Sequence, residues 1–268
     1  MPLSQLHSWS RLLFLALTLT LAAGNLRAAD WQETLSSPEP GAFPPLRSVT
    51  LNYECGWAGL TAGRVDAQFL RIDGDTCELD ATAATTGLAR ALWRMDATHE
   101  ARGNVDTLKP LSVSQKEVYR SQTIRTELNF DDDGVDKLRE STNDKKPAKR
   151  RRYDFPNLYD LQTALLYVRS QKLADGDVYR IVVYPATAPY LATVTVLGHE
   201  KIKVKAGTYP AIKIDLRLEK VMGDMTLAPH SKFKRGTGWL SDDADRIPLL
   251  LNAQIFVGTV WVELAKAP

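Results

Sequence analysis

Cysteine, histidine and long apolar runs are all scarce in this chain. Its 268 residues include only 2 cysteines and 4 histidines. A small secreted protein held together by several disulfides needs many more cysteines, and a structural zinc site needs about four ligands brought together. After the N-terminal segment, no apolar run approaches the roughly 20 residues that a membrane-spanning helix requires. The sequence therefore excludes a disulfide scaffold and a multispan membrane protein.

Motifs for catalysis and cofactor binding are also missing. The chain has no G-x-S-x-G elbow, no glycine-rich phosphate loop and no Cys-x-x-Cys pair. His99, His199 and His230 lack the spacing of an H-E-x-x-H metal site. The acidic groups Asp131–Asp133 and Asp242-Asp243 fit turns better than paired carboxylates facing across a cleft. We therefore predict no catalytic, cofactor-binding or metal-binding residues, and a protein that is not an enzyme.

The N-terminus has the pattern of a cleavable export signal. Arg11 precedes an apolar run from Leu12 to Ala23, which is too short to remain as a membrane anchor, and small residues follow it. Residues 1–28 are therefore predicted to be a signal peptide cleaved after Ala28, with cleavage after Ala29 as the alternative. No cysteine lies near the junction to carry a lipid, so we expect a soluble periplasmic protein without a stable membrane anchor.

Removal of this segment balances the charge. The whole chain has 34 basic and 32 acidic residues, and the segment contains Arg11 and Arg27 but no acid. The mature protein is thus formally neutral, and a neutral protein has no global field to attract nucleic acid. We predict that nucleic acid is not a partner.

Alternation of apolar and polar residues predicts strands over most of the remaining chain. In Leu51–Trp57 and Ile212–Leu218 the apolar residues recur at every second position, as in a strand with one buried face. Turn sequences such as Asp73-Gly74-Asp75 separate the strands. Short turns between many strands favour meanders over β-α-β units. The predicted fold is mainly β, with antiparallel meander sheets bent and packed as a sandwich or an open barrel.

Two segments depart from the strand pattern. We predict a short helix at about 87–95 and a substantial one at about 158–171, where apolar residues recur at helical spacing on one face. Asn157 is the predicted N-cap of the longer helix, with Asp160 at its third position. Residues 29–48 are proline-rich and predicted to be an extended lead-in, which leaves 49–266 as a single β-rich domain.

The two cysteines leave two alternatives open. Cys55 and Cys77 both fall on the apolar phase of their strands. Export to an oxidising compartment permits a disulfide between them. In a simple meander, however, their strands would lie one strand apart, about 9.6 Å, whereas a disulfide needs Cα atoms within about 7 Å. The sequence thus allows either a disulfide or two thiols.

A concentrated basic run is the one strong local charge feature. It extends from Lys145 to Arg152 and contains Lys145, Lys146, Lys149, Arg150, Arg151 and Arg152. The export signal rules out a nuclear or nucleic-acid role. Two interpretations remain: a solvated hairpin, or a patch that binds the phosphates of lipid or lipopolysaccharide.

Several motifs in order resemble an exported Gram-negative family catalogued as domain of unknown function 3108. They are LNYECGWAGLTAG (Leu51–Gly63), YDLQTALLYVRSQKLADGD (Tyr159–Asp177), GHEKIKVKAGTYPAIKI (Gly198–Ile214), WLSDDADRIPLLL (Trp239–Leu251) and FVGTVWVEL (Phe256–Leu264). The resemblance runs from about residue 48 to 266. It implies an envelope β-protein with bent, packed meander sheets, and it carries over no catalytic residues.

Two functional hypotheses follow. In the first, a curved sheet half-encloses an apolar ligand, such as a lipid or lipid-linked sugar, with the helix at 158–171 as a lid. In the second, the protein is a structural or protein-interaction module of the envelope whose sheets form a closed core. The large apolar face of the strands motivates the first, and the lack of any catalytic constellation is compatible with both.

The signal peptide gives the first testable prediction. Protein purified from the periplasm should begin at Ala29, because Leu26 and Ala28 occupy the two recognition positions. N-terminal sequencing or intact mass would check this. Retention of Arg11 in the exported protein would contradict it.

Overall fold

The computed structural model describes residues 30–71, 74–143 and 148–268. The predicted signal peptide and the basic residues Lys145 and Lys146 lie outside these ranges. The chain divides into two compact units, Met1–Leu35 and Ser36–Pro268. In the first, the described residues include one turn of 3-10 helix (Trp31–Thr34), whose N-cap Asp30 accepts a hydrogen bond from the backbone of Gln32. An extended conformation was predicted for this stretch, so that prediction was wrong at residues 31–34.

Strands account for most of the second unit. In chain order they are β1 (Val49–Trp57), β2 (Leu60–Arg71), β3 (Thr76–Thr85), β4 (Met95–Asn104), β5 (Pro110–Tyr119), β6 (Thr123–Asp131), β7 (Gly134–Ser141), β8 (Lys149–Asp154), β9 (Val178–Val183), β10 (Tyr190–Val204), β11 (Gly207–Val221), β12 (Leu227–Pro229), β13 (Phe233–Ser241), β14 (Pro248–Ile255) and β15 (Thr259–Lys266). The two helices are α1 (Gly87–Leu92) and α2 (Leu161–Ser170).

Within the described residues, all the strands belong to one fifteen-stranded antiparallel sheet. Their order is β8-β7-β6-β5-β4-β3-β2-β1-β15-β14-β13-β11-β10-β9, with β12 paired to β11. Consecutive strands are therefore neighbours almost throughout, and the first strand pairs with the last. This arrangement confirms the prediction of a mainly β fold built from antiparallel meanders, as a bent sheet or open barrel.

In the described part of the chain the sheet ends at β8 and β9, and we call the place between these two strands the seam. The chain between these two strands forms α2 instead of a hairpin, so their edges do not pair. Side chains bridge the seam: the rings of Tyr153 and Tyr184 stack with centroids 5.9 Å apart, and Lys137 donates to the carbonyl of Ala186. A short parallel bridge between Tyr159 and Val183 also covers part of the β9 edge.

Helix α2 begins later than predicted. Its N-cap is Asp160, whose carboxylate accepts hydrogen bonds from the backbone and hydroxyl of Thr163 at 2.6 Å each, while the Thr163 hydroxyl accepts one from the Asp160 backbone. Asn157, the predicted cap, instead has a φ of 55°. The β-bridge at Tyr159 keeps the intervening residues extended. The predicted start at 158 was therefore wrong by one turn. The Asp160 cap and the bridge at Tyr159 determine where the helix begins, and the leucine spacing does not reveal them.

The shorter helix is also less extensive than predicted. Helix α1 ends at Leu92, and β4 starts at Met95, whereas the sequence predicted helix to about 95. Arg90 forms a bidentate ion pair with Asp96, at the start of β4. This pair and the return of the chain into the sheet limit the helix to six residues.

The hydrophobic core lies where α2 packs on the sheet. Leu166, Tyr167 and Val168 of α2 join one cluster with residues of β1 to β3, among them Phe69, and of β9 and β10, among them Val194. We call the face of the sheet that carries α2 the inner face. Strand pairing places Val49, Phe69, Leu79 and Ala101 side by side on this face. The helix thus fills one end of the space enclosed by the sheet.

Two buried arginines fix the C-terminal end of α2. Arg169 donates to the carbonyls of Pro44, Ala244 and Asp245 at 2.6–2.7 Å. Arg246 donates to the carbonyls of Arg169, Gln171 and Lys172, groups that a helix end leaves without intrahelical partners. Burial lowers the pKa of Arg169 to about 10, and both guanidinium groups lie against the ring of Phe43. These contacts hold the lead-in, the helix and the β13–β14 turn together.

The cap of α2 gives a prediction about pH. Burial raises the pKa of Asp160 above its usual value, so the folded protein binds a proton that the unfolded chain releases at a pH of about 4. Stability is then lost as the pH rises from about 4 through the folded pKa. Asn at this position can still accept from Thr163 but does not ionise.

We therefore expect Asp160→Asn to flatten the fall in unfolding free energy above pH 4 and to leave the protein at least as stable at pH 7. Each tenfold rise in the proton affinity of the carboxyl corresponds to about 1.4 kcal/mol. Urea unfolding at several pH values would measure this, with the exposed Asp106→Asn as the matched control. An unchanged pH profile in Asp160→Asn would contradict the assignment.

Candidate functional site at the open end of the sheet

On β1, β11 and β14 the inner face is more exposed at one end of the strand than at the other. On β11, Ile212 is buried, whereas Leu216 and Leu218 on the same face are only half-buried. On β14, Leu249 is completely buried, while Leu251 is half-buried. Strand pairing places Ile214 and Leu251 on either side of Gly238, and Leu216 beside Gly236, so these residues adjoin on one face.

Strand β1 shows the same change. Val49 and Leu51 are buried, Tyr53 and Cys55 are half-buried, and Trp57, at the end of the strand, is 46% exposed. The exposed ends of these strands meet at one end of the sheet, which we call the open end. It comprises the turns at 57–60, 119–123 and 255–259 and the connection 86–94 that contains α1.

Two glycines shape the apolar surface near the open end. Gly236 and Gly238 occupy inner-face positions on β13. A Cβ at Gly238 would lie 3.1 Å from Cγ1 of Ile214, and one at Gly236 would lie 3.0 Å from the ring of Phe233. Because both positions lack a side chain, the neighbouring apolar side chains lie over the β13 backbone. The result is a smooth surface rather than a ridge.

The two cysteines do not form a disulfide. Cys55 pairs with Gly63 of β2, and Gly63 pairs with Thr85 of β3. Cys77 lies at the other end of β3, about 26 Å along the strand at about 3.3 Å per residue, far beyond the 7 Å that a disulfide allows. The register of β2 and β3 therefore resolves the alternative in favour of two thiols.

Cys77 is instead part of a buried polar contact with α2. Its thiol donates to the carbonyl of Gly103 at 3.3 Å and accepts from the amide of Gln162 at 3.6 Å. At Gly103, a Cβ would lie 2.7 Å from the methyl of Thr163, so only glycine lets the helix start approach this closely. The sequence predicted that Cys77 lies on the apolar face of its strand. It did not predict the contact between Cys77 and a helix that is distant in sequence.

The described residues of the basic run are divided between two faces of the sheet. Its described residues lie on β8, and strand alternation places Arg150 and Arg152 on one face and Lys149 and Arg151 on the other. Arg152 forms ion pairs with Asp131, Asp136 and Asp154 at 2.7–3.0 Å. The guanidinium holds the pKa of Asp131 down at about 2. The charge of Arg152 is therefore matched by aspartates of its own strand and of the neighbouring hairpin.

The predicted role of the longer helix as a lid does not fit its position. Most of α2 is buried, and it packs at the end of the inner face opposite to the open end. A cavity of about 290 Å³ lies beside it, lined by Phe43, Leu166 and Arg169 among others. This is at the lower limit of ordinary ligand pockets. The helix closes one end of the fold and does not cover the other.

Sequence reasoning missed the large apolar residues at the open end. Leu60 and Phe256 lie in or next to hairpin turns, where polar and glycine residues are usual, and both are more than 60% exposed. Leu88, Leu92 and Trp93 are similarly exposed on and after α1. Turn sequences such as Trp57-Ala58-Gly59-Leu60 carry this signal, because a large apolar residue at a turn tip has no core to enter.

Within the described residues, no helix is long and apolar enough to cross a membrane, and no cluster of three or more His, Cys, Asp or Glu side chains could hold a metal ion.

The acidic pair in the β13–β14 turn has a structural role. Asp243 accepts hydrogen bonds from the Ser241 hydroxyl and from the backbones of Asp245 and Arg246.

Comparison with known proteins identifies one family and several similar folds. A family model described as "Protein of unknown function (DUF3108)" matches residues 52–265. Among solved structures, a β-barrel-like protein of the DUF1849 family from Brucella abortus has a TM-score of 0.56 at 11% identity, over 83% of this chain and 98% of that one. At this identity the likeness supports the fold alone, and it agrees with a bent, barrel-like sheet.

Two further structures are more distant. A protein from Parabacteroides distasonis described as a candidate lipoprotein has a TM-score of 0.34 at 10% identity. A candidate exported protein with a YmcC-like fold from Bacteroides fragilis has a TM-score of 0.35 at 9% identity. Each covers 85% of this chain and 98% of its own. Neither TM-score is high enough to support a conclusion. No curated protein sequence matches the chain significantly.

The cysteine geometry gives a prediction about thiol content. Protein purified without reductant and then denatured should take up two alkyl groups from iodoacetamide. In the native state, reaction should be slow and confined to Cys55, because Cys77 is completely buried and burial raises the pKa of the Cys55 thiol. Intact mass would measure both, with Cys55→Ser as the control that takes up one group. Alkylation only after reduction would contradict the register.

Proposed function

This chain belongs to the DUF3108 family, whose description states no activity, and we propose on physical grounds that it binds the acyl chain of an envelope lipid. The binding surface is the half-buried apolar part of the inner face, between α2 and the open end. In this proposal the protein is exported to the periplasm, acts without catalysis, and shields an apolar chain from water.

The gradient of exposure along the inner face carries the proposal. A closed core would bury the apolar phase of each strand along its whole length. Here Ile212 and Leu249 are buried, but Leu216 and Leu251 on the same strands and face remain half-buried. Burial of apolar area contributes about 25 cal/mol per Å², so half-buried side chains still gain from covering by a ligand. Sheet faces that open at one end are common sites for apolar ligands.

The chemistry of the surface favours an apolar chain over a polar ligand. Strand pairing brings together Ile214, Leu216, Leu251 and Val262, with Gly236 and Gly238 between them. These side chains provide no hydrogen-bond donors or acceptors. A polar or charged ligand would therefore lose hydrogen bonds to water without gaining protein partners. An acyl chain makes no hydrogen bonds to water and so has none to lose.

Lipid content of the purified protein tests this proposal. Native mass spectrometry of periplasmic protein, with parallel organic extraction, should reveal a bound lipid at near-stoichiometric amount. The fluorescent fatty acid cis-parinaric acid should bind the delipidated protein. Leu216→Glu should weaken this binding at least tenfold, because it places a carboxylate in the apolar surface.

Val178→Glu is the matched control. Val178 is 50% exposed on β9 and lies on the face opposite to Tyr179, so this change adds the same charge away from the inner face. An equal loss of cis-parinaric acid binding in both variants would contradict the proposed binding surface. A protein with no extractable lipid and no affinity for the probe would favour the alternative of a structural or interaction module.

A further inference from the structure

The open end displays a continuous set of exposed apolar side chains. We call it the apolar rim and define it by six exposed residues: Trp57, Leu60, Leu88, Leu92, Trp93 and Phe256. They are between 46% and 76% exposed. Isolated exposed apolar residues are ordinary, but a contiguous group usually marks an interaction surface.

Direct contacts join the turns that carry the rim residues. The indole of Trp57 donates to the carbonyl of Val257 at 2.7 Å, which joins the β1–β2 and β14–β15 turns. The backbone of Thr86 donates to Ala62, which joins β2 to the start of α1. The rings of Trp93 and Tyr119 lie 5.9 Å apart, which links the end of α1 to the β5–β6 turn.

Basic residues accompany the rim. Arg94 and Arg120 lie in turns at this end, and Lys232 and Lys234 lie just before and at the start of β13; all four are exposed. Arg120 donates to the carbonyl of Ala91 on α1, and the backbone of Phe256 donates to the carbonyl of Lys232, so both sides of the rim have a basic neighbour. Asp96 compensates part of this charge through ion pairs with Arg90 and Arg94.

The opposite end has the reverse charge. Its turns contain Asp131–Asp133 between β6 and β7, Asp175 and Asp177 before β9, and Asp242, Asp243 and Asp245 between β13 and β14. Some of these acids pair with Arg47 and Arg152, but aspartate clearly predominates. A formally neutral mature chain is therefore divided into a basic, apolar end and an acidic end.

From these observations we propose that the apolar rim docks onto an anionic phospholipid bilayer, with the open end facing the lipid. Aromatic side chains such as Trp93 and Phe256 favour the boundary between headgroups and acyl chains. Each Lys or Arg near an anionic surface adds electrostatic attraction. The acidic end orients the molecule, because an anionic surface repels it. This docking does not depend on the proposed uptake of an acyl chain.

Vesicle flotation tests the docking. The full mature protein should float with vesicles of phosphatidylethanolamine and phosphatidylglycerol at low salt, and binding should fall at least tenfold in 0.5 M NaCl or on pure phosphatidylcholine. Vesicle binding of the variant Leu60→Ser/Leu92→Ser/Phe256→Ser should also be at least tenfold weaker. All three side chains are more than 60% exposed, so the fold should survive, and circular dichroism would verify this.

A control at the other end makes the test specific. Leu161 and Leu165 of α2 and Val178 are also exposed apolar residues, but they lie outside the rim. Leu161→Ser/Leu165→Ser/Val178→Ser should float like the unmodified protein. Equal loss in this variant would overturn the proposal. Failure of the unmodified protein to float would overturn it too, as would a dimer in solution that the rim variant dissociates, which would identify a second copy as the occupant.

Discussion

The packing of α2 against the inner face is the contact on which most of the structure depends. The helix occupies the place where a hairpin between β8 and β9 would otherwise complete the sheet. Its ends carry backbone groups that lack intrahelical partners. At the start Asp160 and Thr163 exchange hydrogen bonds, although Oδ2 of Asp160 and Oε1 of Gln162 have no hydrogen-bond partner among the described residues. At the end Arg246 donates to the carbonyls of Arg169, Gln171 and Lys172. Because the helix fills only one end of the enclosed space, it produces both the core and the open end.

The local pattern of apolar, polar and turn residues was sufficient to predict the fold class. It did not predict the ends of the helices or the contacts between residues distant in sequence. Alternation in Ile212–Leu218 and turn residues such as those at 131–134 indicated the strands, because both signals are local. The start of α2 was missed because it depends on a bridge between Tyr159 and Val183, residues that are distant in sequence. Leucine spacing alone could not reveal that contact.

The candidate site was even less accessible from the sequence. Leu216 and Ile212 share one alternating pattern, and nothing in that pattern indicates that Ile212 is buried and Leu216 half-buried. The basic run illustrates the opposite error. Four consecutive basic residues suggest a patch, but β-pairing sends Arg150 and Arg151 to opposite faces and gives Arg152 three aspartates. Charge density along a chain does not predict charge density on a surface when the chain is a strand.

The seam has a consequence for the behaviour of the protein at high concentration. Strand β8 ends the sheet, and an uncovered edge strand invites pairing with the edge of a second molecule. Lys149, Arg150, Arg151 and Arg152 occupy most of this strand, so two such edges would bring rows of like charge together. The same residues that suggested a binding patch thus act as a barrier to edge-to-edge aggregation, in a fold whose other edge, β9, is partly covered by its own chain.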